Sequence, residues 1–176
     1  MFSGVKISSL GWLKRNDLEQ FSAEEIRELR ALLEIEKIRT LRMQYSHFMD
    51  SRQLPALVGL FADDALCEFG PYGNWSGIEA IAAGFNNEFK DTLDQPFWSM
   101  HSNTNHQVKI TGPDSAEGTV YLLDIATDRK PDENPFLWFA LYDEAYVKID
   151  GQWKVKRTSI HFLWPEKHID TSFLAR

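Results

Sequence analysis

From Phe97 to Trp164 apolar residues recur at every second position, and the runs break only at Gly112-Pro113-Asp114, at Lys130-Pro131-Asp132-Glu133-Asn134 and at Asp150-Gly151. A period of two sustained this long fits pleated strands with one face buried, and little else. The breaks predict four strands, over about 97–110, 117–128, 136–149 and 152–164. Asp-Gly between the last two is a strong hairpin signal, because the tight turn that matches strand twist needs positive φ at both central residues.

The first half of the chain has a different period. Ser22-Ala23-Glu24-Glu25 is a capping box, and Ile35, Ile38, Leu41, Tyr45 and Phe48 then fall on one helical stripe, predicting a helix over about 23–49. A short second helix is expected over 53–61, stopped by Asp63-Asp64, with a short strand over Ala65–Phe69 and turn chemistry in Gly70-Pro71-Tyr72-Gly73-Asn74. Ser76-Gly77-Ile78-Glu79 reads as a second capping box, opening a helix whose apolar face is Ile78, Ile81 and Phe85. Helices first and a meander afterwards predict an α+β fold, with helices covering one face of a curved, mostly antiparallel sheet. Such a sheet leaves a conical cavity suited to a small molecule. The domain is placed at residues 22–166, with an N-terminal arm at 1–21 and a C-terminal tail at 167–176.

Composition narrows the function. With 176 residues the chain is long enough for one domain with a substantial core. Its net charge of −7 and the absence of a basic stripe argue against a nucleic-acid partner. The single cysteine, Cys67, excludes an internal disulfide and a multi-cysteine metal site. The start of the chain lacks a basic segment followed by an apolar run, and the longest apolar stretch, Phe136 to Tyr142, falls far below the roughly 20 residues of a membrane helix. The expectation is a cytoplasmic protein without a membrane segment. Twelve Phe and six Trp are either core fillers or the lining of an aromatic cavity for a hydrophobic ligand. The strand Phe136-Leu137-Trp138-Phe139 fits either the core or an outer sheet face buried in a homo-oligomer, a dimer or trimer.

The chain contains no Gly-rich phosphate loop, no Gly-x-Ser-x-Gly elbow and no His-Glu-x-x-His zinc helix. His101 and His106, five apart in a strand, are expected on opposite faces, so no metal site is predicted. Asp124 shares its strand face with Val120, Leu122 and Ala126, where an ionised carboxylate must find a donor or change protonation. It is either a structural hydrogen-bonding group or a functional acid. His101 has the parity of Ser99, Asn103 and Asn105, a polar face that suits either a cavity wall or a solvated strand. Tyr45 lies on the apolar stripe as a core residue would. Asp50 opens Asp50-Ser51-Arg52-Gln53 and also fits a helix cap, and His161 ends the last strand either at a cavity mouth or packed.

Taken together, Leu60-Phe61-Ala62-Asp63-Asp64-Ala65, Trp75-Ser76-Gly77-Ile78-Glu79-Ala80-Ile81 and Asp150-Gly151-Gln152-Trp153-Lys154-Val155 resemble the SnoaL-like proteins of the nuclear-transport-factor-2-like superfamily, over about residues 25–165. The resemblance implies a cone-shaped α+β domain. Tyr45-Ser46-His47-Phe48-Met49-Asp50 is similar to the Tyr-x-x-x-x-Asp of bile-acid 7α-dehydratases, Met100-His101 to their histidine, and Tyr121-Leu122-Leu123-Asp124 to their further aspartate. Scytalone dehydratase shares the general scheme, and His101–Asn105 resembles the histidine segment of hexachlorocyclohexane dehydrochlorinase. On the last strand His161 and Phe162 stand where those dehydratases carry an arginine. The resemblance implies a cofactor-independent lyase that removes water from a hydrophobic polycyclic hydroxy-ketone, steroid- or polyketide-like. Tyr45, Asp50, His101 and Asp124 would be its catalytic residues, with His161 and Asn103 contacting substrate. It equally admits an isomerase or polyketide cyclase using the same base, or a non-catalytic subunit of the dioxygenase β-subunit type.

Overall fold

The computed structural model describes residues 21–90, 98–127 and 136–164, apart from the side chains of Pro71, Trp98, Thr127, Phe136, Leu137, Trp138, Leu163 and Trp164. The proposed arm up to Gln20, the proposed tail and most of the aromatic strand's side chains therefore lie outside the described residues. The chain forms two compact units, Met1–Glu34 and Ile35–Arg176. In the first, the described residues are the opening turns of helix α1 (Ala23–Asp50). Its capping box forms as predicted: the Ser22 N–H donates to Glu25 Oε2 at 2.7 Å, and the Glu25 N–H donates back to Ser22 Oγ at 3.2 Å.

The second unit holds the remainder of α1, then α2 (Leu54–Val58), β1 (Phe61–Glu68), a 3₁₀ turn (Gly70–Tyr72), β2 (Asn74–Ser76) and α3 (Ile78–Lys90). Four long strands follow: β3 (Trp98–Gly112), β4 (Ser115–Thr127), β5 (Phe136–Ile149) and β6 (Gln152–Trp164). They form one sheet in the order β2-β1-β6-β5-β4-β3, antiparallel except for the parallel pair β1 and β6. The predicted α+β architecture is therefore the observed one. At the β5–β6 turn Asp150 and Gly151 have φ of 50° and 76°, the two positive values that the Asp-Gly pair predicts.

Several local expectations are corrected. The second helix is shorter than predicted, because Leu60 already serves the sheet: the Val155 N–H donates to its carbonyl at 3.0 Å. Asp63 and Asp64 consequently lie exposed within β1 and stop no helix. Ser76 ends β2, and α3 starts after Gly77, whose φ of 82° and whose carbonyl, accepting from the Ile81 N–H at 3.0 Å, make it the residue at the cap. The largest correction lies in β3. Its pairing with β4 slips by one residue between Thr104 and Gln107, and Asn105 has φ of 54°. This bulge reverses the parity of everything after it, so His106 returns to the same face as His101.

The core lies between that face and the helices. Ile38, Leu41 and Tyr45 are buried on α1 as their spacing predicts, while Ile35 and Phe48 are half-buried. They meet Ile81, Phe85 and Phe89 of α3, and Val120, Ala140, Tyr142 and Val155 of the sheet, within one apolar cluster. Gly84 is needed for this packing, since a Cβ there would fall 2.3 Å from the ring of Trp75. Cys67 is buried in β1, and burial pushes its thiol up to about 12, so it packs as an inert small group. Among the described residues no helix is long and apolar enough to cross a membrane.

Candidate active site

The end of α1 delivers Asp50 to the edge of β3. Its Oδ1 lies 2.5 Å from His101 Nδ1 and accepts from Ser99 Oγ at 3.0 Å, and its Oδ2 accepts the His101 backbone N–H at 3.0 Å. With a carboxylate on Nδ1, that nitrogen carries the proton and Nε2 is left as the basic lone pair. Burial would raise the Asp50 carboxyl, but the His101 side chain and backbone N–H, and then Ser99, hold it below the ordinary carboxylate range. The dyad therefore pairs an ionised orienter with an imidazole whose free nitrogen faces inward.

That nitrogen faces Asp124, directly across the β3–β4 ladder, with Nε2 3.8 Å from Asp124 Oδ2. Asp124 lies among Leu122 and Ala126, as strand alternation predicts. Its Oδ1 is buried and, among the described residues, accepts no hydrogen bond. Burial, and then the nearby charge of Asp50, push this carboxyl above its ordinary value, against the opposing pull of His101 and Arg52. Two aspartates on one histidine are thus driven in opposite directions, as in an acid–base pair.

Both Nε2 and Asp124 open on a cavity of about 310 Å³. Eight aromatic side chains line it: Tyr45, Phe69, Tyr72, Trp75, Phe85, Phe89, Tyr142 and Phe162. The Trp75 ring meets Phe69 and Phe85 edge-on at 5.2 Å each, so the wall is rigidly packed. The cavity's polar lining is Arg52, Glu88, Ser99, His101 and Asp124, with Arg52 Nη1 3.4 Å from Ser99 Oγ and His101 Nε2 3.8 Å from Asp124 Oδ2. A small volume with apolar walls and a few convergent polar groups is the form of a small-molecule site. Among the described residues no group of three or more His, Cys, Asp or Glu is arranged to hold a metal ion.

Of the residues singled out in the sequence, Tyr45, His101 and Asp124 line this cavity. Asp50 stands behind His101, on an outer groove that Ser46, His47 and Met100 also line. Asn103 belongs to that groove too, donating to Ser46 Oγ and accepting from Arg42 Nη2 at 3.4 Å. It is not a cavity contact. Neither is His161: its neighbours Ile160 and Phe162 line the cavity, and alternation turns His161 to the opposite face. Tyr45 is buried, and burial, followed by the neighbouring Tyr142, pushes its phenol well above the ordinary value against the pull of Arg42.

A second polar cluster went unforeseen. Arg42, on α1, pairs with Glu144 at 3.1 Å with both side chains fully buried, and its guanidinium stacks 4.2 Å from the Tyr45 ring centre and 3.9 Å from that of Tyr142. Glu144 accepts from Thr158 Oγ1 at 3.0 Å and from the Tyr146 hydroxyl, which lies 3.2 Å from His106 Nε2. Burial pushes His106 down to about 4, so it is neutral, and because the Tyr146 hydroxyl donates to Glu144, the contact is met by a His106 Nε2–H donating to the Tyr146 oxygen. Strand parity held the signal, since Glu144 alternates with Ala140, Tyr142 and Tyr146 just as Asp124 does with its neighbours.

The sheet order, the helices and this site define a class. The SnoaL-like domain model matches residues 30–159, and the chain belongs to that family, within the nuclear-transport-factor-2-like superfamily. Solved structures agree on the fold. A candidate scytalone dehydratase from Novosphingobium aromaticivorans is similar with a TM-score of 0.68 and 24% identity, over 79% of this chain and 91% of the other. A hexachlorocyclohexane dehydrochlorinase from Novosphingobium barchaimii reaches 0.66 and 22% identity, over 78% and 91%. An NTF2-like protein with a cystatin-like fold, also from N. aromaticivorans, reaches 0.69 and 19%, over 84% and 93%.

Proposed function

We propose that this protein is a lyase that eliminates water from a compact, apolar, ring-containing hydroxy-ketone. The observation that carries the reading is the His101 imidazole held between Asp50 at 2.5 Å, whose carboxyl is held low, and a half-buried Asp124 at 3.8 Å, whose carboxyl is pushed above its ordinary value, on the wall of an aromatic cavity. His101 Nε2 takes the proton from the carbon next to the ketone, and the C–H electrons pass through the carbonyl to give an enolate. Asp50 keeps the imidazole in the required tautomer and balances the cation that forms. Tyr45 offers its hydroxyl to the oxygen that gains charge. The enolate then collapses, the carbon–oxygen bond of the β-hydroxyl breaks, and Asp124 supplies the proton with which it leaves as water. His101 returns its proton to Asp124, and the site is reset. The relatives named for dehydration and dehydrochlorination perform eliminations by name, which supports this class of reaction.

The short gap between His101 and Asp124 also suits transfer of a proton from carbon to carbon, which would make the protein an isomerase. One experiment separates them. A panel of cyclic β-hydroxy-ketones deuterated at the α-carbon is incubated with the protein and products are read by mass spectrometry. Loss of one water with loss of the label, and no turnover by His101→Ala, is the expected result. Products of unchanged mass would favour the isomerase, and His101→Ala with wild-type kcat would sink both.

A further inference from the structure

The chain leaves α1 through a paired hydrogen-bond pattern: the Arg52 N–H donates to the Met49 carbonyl at 3.2 Å, and the Gln53 N–H to the Phe48 carbonyl at 2.9 Å. This is a Schellman ending, and it places Arg52 at the position that must be left-handed, with φ of 56°. Glycine takes that conformation freely, whereas a residue with a Cβ is strained there. Among the described residues that line the cavity, Arg52 alone has positive φ. A side chain kept against its backbone preference points to a use for that side chain.

The guanidinium reaches the cavity's polar lining. Nη1 donates to the Met49 carbonyl at 2.8 Å and reaches Ser99 Oγ at 3.4 Å, the carbon Cζ stands 5.0 Å from the centre of the Phe89 ring, and the side chain lines the cavity beside His101 and Asp124. Arginine has five donors in a fixed fork and no acceptor, so what it recognises is an oxygen with lone pairs. We propose that Arg52 is a substrate-contacting residue that holds the ketone oxygen and the enolate charge formed on it. The substrate class is thereby narrowed to ligands whose acceptor oxygen enters at the α1 end of the cavity, with the ring system lying on Phe89 and Trp75. A fixed cation held against developing charge by an apolar wall stabilises it better than a solvated one would.

This inference rests on the cavity being the substrate site, and its test does not depend on turnover. The probe is 2-naphthol, a fused two-ring phenol whose anion mimics an enolate and whose absorbance and fluorescence report its ionisation. Bound to the wild type, its pKa should fall by about one unit from the value in the same buffer, equivalent to about tenfold tighter binding of the anion relative to the neutral form. Arg52→Gly should abolish that fall while neutral naphthol binds within about twofold of wild type; because glycine suits the left-handed position, the unfolding midpoint should stay within about 5 °C. Arg52→Lys should retain part of the fall. Tyr45→Phe serves as the rival arm. A bound pKa that Arg52→Gly leaves unchanged, or that moves only in Tyr45→Phe, would overturn the proposal and leave Arg52 as a helix-end contact. His101→Ala should bind naphthol normally, so loss of the elimination reading and loss of this one give different results.

Discussion

Two ionisable clusters lie on the same face of one sheet and have opposite characters. Around Glu144, both carboxylate oxygens are taken, by Arg42 and Thr158 on one and by Tyr146 on the other, and the guanidinium is covered by two tyrosine rings. Around His101, one carboxylate is saturated, the other keeps a buried oxygen that has no donor among the described residues, and Nε2 faces a cavity. Burial alone does not mark a functional residue, because the first cluster is the more deeply buried. An incomplete set of partners facing open volume does.

The contrast is sharpest in paired variants. His101→Ala should lower kcat by about 10²–10⁴-fold and cost only the charge-assisted bond to Asp50, about 1.5 kcal/mol, whereas Glu144→Ala should unfold about 3–5 kcal/mol more easily, because it strands the buried Arg42 charge. Denaturant titration and kinetics on both proteins check this, and a stable Glu144→Ala protein would erase the distinction. Asp50→Asn should lower kcat by between about tenfold and the full His101 loss, since orienter and base act as a unit, while KM moves little.

Stability against pH should separate the two aspartates by sign. Asp50, held below its unfolded value, contributes stability that is present above the unfolded pKa and is lost as pH falls through the folded one. Asp124, held above its unfolded value, contributes stability that is present below the unfolded pKa and is lost as pH rises through the folded one. At neutral pH Asp50→Asn should therefore destabilise and Asp124→Asn should stabilise, read as unfolding midpoints across a pH series. Shifts of the same sign would show that the two carboxyls are not opposed. The smallest expected effect is at the cavity wall. Gly84→Ala puts a methyl into the Trp75 ring and should cost about 1–3 kcal/mol, with weakened binding of aromatic ligands and an unaltered pH profile.

Local physics wrote much of this molecule into its sequence. Periods of 3.6 and two need no tertiary information, so α1, α3 and the four long strands are legible within a few residues, as is the Asp150-Gly151 turn. Asp124 was legible too, because alternation on a regular strand fixes which way a side chain points. Tertiary structure decided what depends on pairing between distant segments. One extra residue at Asn105 put His106 on the face where a strict count forbids it, and the claim of β6 on Leu60 shortened α2. The sequence shows that Asp50 and His101 exist 51 positions apart, but only the crossing of α1 over β3 sets them at 2.5 Å. Arg42 and Glu144 carry no local sign of partnership, since a charge becomes tolerable in a core only when its opposite arrives from another element.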